Sequence, residues 1–151
     1  MDRKGAMAGS IRCIDGIRYA TRDLARTLIR ARHALSIPQS RTVYIILCGA
    51  GTIRRLNRTY RNINRVTDVL SFRYGHGKHE GVFGEIFICV PRARSQAQQY
   101  GNAFSEEMRL LMIHGLLHIL GHDHATARQA KRMRSLENTL LGKNLSRSAH
   151  R

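Results

Sequence analysis

The chain has 151 residues, 42% of them hydrophobic, and carries 26 Lys and Arg against 10 Asp and Glu, a formal net charge of +16. The length suffices for one domain with a real core, and no apolar run approaches the roughly 18–20 residues that a membrane-spanning helix needs. Only four of the basic residues are Lys; an Arg-rich surface of this charge implies a polyanion as partner, nucleic acid above all, with Arg enrichment by a GC-rich genome as the competing explanation.

Along the chain, "MDRKGAMAGS" lacks the apolar stretch of a secretory leader. Ser10–Ile14 alternates weakly and reads as a first strand. The segment 15–35 places Ile17, Ala20, Leu24, Leu28, Ala31 and Leu35 on one helical stripe, and Pro38 closes it. "RTVYIILCG" is β-branched and apolar, a buried strand. "TIRRLNRTYRN" returns to helical spacing through Ile53, Leu56 and Tyr60. "TDVLSFRY" and "GEIFICV" read as strands on either side of a Gly- and His-rich loop. Pro91 opens a further helix at a tolerated first-turn position. "SEEMRLLMIHGLLHIL" carries the strongest helical signal, with Ser105 as its expected N-cap and Glu106 and Glu107 complementing the helix dipole. A last Arg-rich helix runs to Gly142. Four strands mixed with about five helices predict a single α+β domain over residues 1–142, followed by a basic tail over 143–151. Cys13, Cys48 and Cys89 are odd in number, widely spaced and mostly in apolar runs, the pattern of reduced, buried thiols in a cytoplasmic protein.

The chemistry concentrates in "IHGLLHILGHDH", which holds His114, His118, His122 and His124. Residues four apart on a helix share a face, so His114 and His118 project side by side. Gly121 is a suitable helix stop, after which the chain can turn and bring His124 back toward the pair. Three convergent imidazoles with an open fourth position are how a catalytic zinc site is built. Asp123, beside His124, is a candidate to orient an imidazole. His122 leaves a second possibility open: a fourth ligand would close the site, and closed four-ligand zinc sites are structural. A zinc peptidase of the HExxH type is a third, but such an enzyme carries its general base directly after the first His, where this chain has Gly115.

"HGLLHILGHDH", "LNRTYRNINRVTDVLSF" and "GEIFIC", in this order, resemble three blocks of the YbeY family, the rRNA-maturation endoribonucleases, over about Val43–Leu141. The resemblance implies a mixed sheet wrapped by helices, related to zinc metalloprotease-like folds. It implies a single-strand-specific endoribonuclease acting in 16S rRNA 3′-end maturation and ribosome quality control. Zinc, one ion per chain, would sit on His114, His118 and His124, and the family's important arginine falls on Arg61 in "TYRN". Ser71 and Arg73, after "TDVL", would line the cleft. The implied partners are rRNA and the small ribosomal subunit, with an Era-type GTPase and a small-subunit ribosomal protein beside them, and no membrane. The chain departs from the family pattern at Val66 and Arg73, where Pro is usual, at Glu85, where Asp is usual, and at His122, where Tyr is usual. None of these removes a ligand, and His122 reads as a neighbour that is second to the metal or faces substrate.

Overall fold

The computed structural model describes residues 10–75 and 81–143. Four strands and five helices follow one another as β1 (Ile11–Cys13), α1 (Arg22–Ala34), β2 (Thr42–Cys48), α2 (Ala50–Arg61), β3 (Val69–Arg73), β4 (Val82–Cys89), α3 (Val90–Tyr100), α4 (Phe104–Ile119) and α5 (Ala127–Leu141). The expected α+β architecture, a four-stranded mixed sheet with five helices, is thus the one observed. The strands lie in the order β1-β2-β4-β3, with β1, β2 and β4 parallel and β3 antiparallel to β4.

Side chains alternate across a sheet, and here both faces are covered. Ile45 and Leu47 of β2 and Ile86 and Ile88 of β4 point into the larger core, where they meet Leu24 and Leu28 of α1, Met108, Leu111 and Leu116 of α4, and Met133 of α5. Cys48 and Cys89, one residue further along their strands, point the other way and meet Ile53 of α2 and Leu70 of β3. The three cysteines are free thiols. Burial, reinforced by the neighbouring Cys89 and Asp15, pushes the Cys48 thiol up to about 12, which leaves it inert as a nucleophile.

Helix α4 is the centre of the molecule. Leu110, Leu111, Met112, Ile113, Leu116 and Leu117 are all fully buried, and a helix apolar all round is one that sits inside. Two boundaries differ from the sequence reading. The first helix begins at Arg22 and not at Asp15, because Asp15 takes a left-handed φ of 57° and the chain turns there. Ser105 lies inside α4; the cap position is Ala103, with no side-chain cap hydrogen bond. A cap unseen in the sequence reading is at α5: Thr126 accepts from Gln129 N while the Gln129 side chain accepts from Thr126 N, a reciprocal capping box. Residues 76–80 of the His-rich loop and 144–151 of the basic tail lie outside the described residues.

Candidate metal centre

Helix spacing sets the first two imidazoles. His114 and His118 stand one turn apart on α4, with their Nε2 atoms 3.1 Å apart. The helix ends at Ile119, Gly121 takes φ +94°, and the chain doubles back. That turn brings the His124 ring to 5.1 Å from His118 and 5.5 Å from His114, centroid to centroid. One nitrogen from each of the three lies within 4.8 Å of the other two. Two nitrogens bound to one tetrahedral zinc at its usual bond length stand roughly 3.3 Å apart, so the donor set fits such an ion. Burial, and then the charges that His114 and His124 would carry, push the His118 imidazole down to about 4, so it is neutral near pH 7. A neutral imidazole is the form that binds a metal.

His114 is 4% exposed, and its second ring nitrogen, Nδ1, is buried without a hydrogen-bond partner. Glu137 Oε1 of α5 lies 3.6 Å from that nitrogen, and Glu137 is itself buried. Metal-bound histidines commonly donate their free N–H to a carboxylate, and Glu137 stands in position for that role although 3.6 Å is longer than a hydrogen bond. Asp123, the residue singled out from the sequence, instead accepts the His124 backbone N–H at 2.7 Å, and its Oδ1 is 3.8 Å from His124 Nδ1. Nothing in the sequence pointed to Glu137, because only the docking of α5 on α4 brings it there.

Gly115 has a steric cause. A Cβ at that position would lie 2.7 Å from Ile86 Cγ2 and 2.9 Å from Ser71 Oγ. The helix therefore rests directly on β4 and β3, and the place where an HExxH peptidase carries its general base has no room for a side chain.

The three histidines line one side of a cleft of about 1690 Å³. Small-molecule pockets usually run to roughly 300–1,000 Å³, so the space suits a larger ligand. Arg61, Ser71 and Arg73 line it as well. Arg61, at the last turn of α2, is held from both sides: its Nη2 donates to Ser71 O at 2.8 Å and its guanidinium carbon lies 5.3 Å from the centre of the Phe72 ring. His122 is not in the three-nitrogen group and does not line the cleft. Tyr60, Arg92 and Gln96 do line it and were missed from the sequence. In a chain with so many Arg, Arg92 carries no distinguishing signal before helix α3 is placed.

A family model described as Endoribonuclease YbeY matches residues 15–144. The chain belongs to the YbeY family. Among its YbeY relatives, that of Heliobacterium modesticaldum is 41% identical over 111 residues, covering 66% of this chain and 67% of the relative. The YbeY of Macrococcus caseolyticus is 36% identical over 126 residues, covering 79% and 82%. The solution structure of TM1509 from Thermotoga maritima superposes with a TM-score of 0.58 at 27% identity, covering 87% of this chain and 89% of that one. All three histidines, Arg61 and Glu137 fall within the stretch matched by the YbeY model.

Proposed function

We propose that this YbeY-family chain is a metal-dependent endoribonuclease that cuts single-stranded RNA, with zinc, one ion per chain, held by His114, His118 and His124. The observation that carries this reading is the three-nitrogen group in a cleft that also holds Arg61. Three ligands and not four make up the group among the described residues, which favours an open catalytic site over a closed structural one. When bound, such an ion supplies Lewis acidity toward a phosphoryl oxygen and lowers the pKa of a water.

The protein's own residues do the rest. His114 and His118 present their nitrogens from one face of α4, and His124 presents its own from the turn that follows. Arg61, already oriented by Ser71 O and Phe72, donates to the scissile phosphate as negative charge builds on it. Ser71 and Arg73 bound the strand. The substrate proposed is the 3′ region of 16S rRNA, in its maturation and in ribosome quality control. The small subunit, a small-subunit ribosomal protein and an Era-type GTPase are the proposed partners; YbeY-family membership and the Arg excess support this assignment. No described helix is long and apolar enough to cross a membrane, which accords with a cytoplasmic place of action.

The test separates two roles. Arg61→Ala should keep its metal and most of its RNA affinity but lose about 10²–10³ in single-turnover cleavage. His114→Ala should lose metal and cleavage together. Cleavage by Arg61→Ala at the parental rate would remove Arg61 from the reaction. Full metal content in His114→Ala would remove His114 from the centre.

A further inference from the structure

Tyr60 is an aromatic side chain left in water beside the cleft. It is 63% exposed, and with Ile29 and Ile63 it is one of three large hydrophobic residues exposed among those described. Tyr60 and Ile63 both line the cleft that holds the three histidines. The Tyr60 ring is propped by a ladder of rings that rises from the sheet. Phe87 of β4 meets Phe72 of β3 edge-to-face at 5.9 Å, and Phe72 meets Tyr60 at 5.3 Å. Such contacts fix a ring's tilt while most of this one stays in solvent. Arg61, the next residue, rests on the same Phe72 ring. An aromatic face and a cation thus sit side by side on one support.

The surroundings decide what covers the ring. Residues 50–67 carry five Arg (Arg54, Arg55, Arg58, Arg61 and Arg65) and no acidic residue. The cleft itself is lined by Arg61, Arg65, Arg73 and Arg92 against Asp68 and Glu85, and the resulting positive field suits a polyanion and opposes a basic protein surface. A strand whose phosphates track these cations presents its bases to whatever apolar surface lies between them, and every unpaired base has a π-face to stack. We propose that Tyr60 is a stacking site for an unpaired nucleobase of the RNA strand, next to the phosphate that Arg61 holds. The inference rests on the ribonuclease reading and deepens it, because stacking on Tyr60 needs a base that is not already paired. It makes this ring a source of preference for single strands.

The test measures binding of the full-length, zinc-loaded protein to a nuclease-resistant 2′-O-methyl oligonucleotide, single-stranded or annealed to its complement. A 2-aminopurine in the single strand reports stacking by quenching. Tyr60→Ala and Tyr60→Leu should each weaken single-strand binding by roughly 5- to 100-fold, the range of one base–aromatic stack. The Leu variant keeps apolar packing on Phe72 but has no π-face, so it separates stacking from support of the fold. Tyr60→Phe and Tyr60→Trp should retain parental affinity and quenching. The salt dependence should stay parental in all four, since no phosphate contact is lost, and duplex binding should not change. Undiminished single-strand affinity and quenching in Tyr60→Leu would overturn the inference alone and leave the ring to some other partner. Failure of the parent to bind the single strand would overturn the ribonuclease reading and this inference with it.

Discussion

A carboxylate 3.6 Å from His114 Nδ1 is beyond hydrogen-bond distance, yet a small shift of α5 on α4 would let that nitrogen donate to it. With the Nδ1 proton directed at Glu137, the Nε2 lone pair faces His118 and His124. Both partners are buried, and the loss of an outer-shell carboxylate commonly costs 10–100-fold in metal affinity. Glu137→Ala should therefore weaken zinc binding by about that factor in a chelator competition, with Glu137→Gln falling between it and the parent because an amide oxygen still accepts. Unchanged zinc affinity in Glu137→Ala would mean that the contact orients nothing. Arg61 is fixed by the same means, through Ser71 O and the Phe72 ring, so its charge is already in place before a phosphate arrives.

Helix α4 carries His114 and His118 and also fills the core, and Gly115 reconciles the two tasks. Ala is the better helix former by about 1 kcal/mol, yet here its Cβ would press on Ile86, which is fully buried, and on Ser71. Overpacking of a tight core costs about 1–3 kcal/mol. Gly115→Ala should thus lower the midpoint of urea unfolding despite its helix propensity; a raised midpoint would show that α4 can lift off the sheet without cost. The spacing of His114, His118 and His124 was legible because it depends on one helix and the turn that ends it. Most of the strands and helices were legible in their apolar runs and periodicity, while α3 was marked by Pro91 at its first turn. The start of α1 was not legible, since the apolar stripe already runs through Ile17 and Ala20 while the helix begins only at Arg22. Ser105 looked like a cap because it precedes two Glu, but the cap, Ala103, lies two residues earlier. Glu137 and the Phe87–Phe72–Tyr60 ladder join elements far apart in the chain, and no local pattern encodes such contacts.

At the scale of the molecule, a formal charge of +16 and a cleft of about 1690 Å³ that holds both cations and imidazoles belong to one account. On the proposed function, the charge would draw a strand in and the cleft would position one of its phosphates. Each phosphate neutralised adds about 0.7 to the slope of log affinity against log salt for a single strand. RNA binding should therefore fall steeply between low and physiological salt, and a flat affinity would mark the Arg excess as a matter of composition. On the proposed function, the three imidazoles hold the ion on which RNA cleavage depends. The most direct test is single-turnover cleavage of a single-stranded rRNA fragment by the same protein preparation as purified, after metal removal, and after return of zinc, with metal content measured at each stage. Cleavage should disappear with the metal and return as zinc approaches one ion per chain. Cleavage that persists at the original rate in metal-free protein would contradict it.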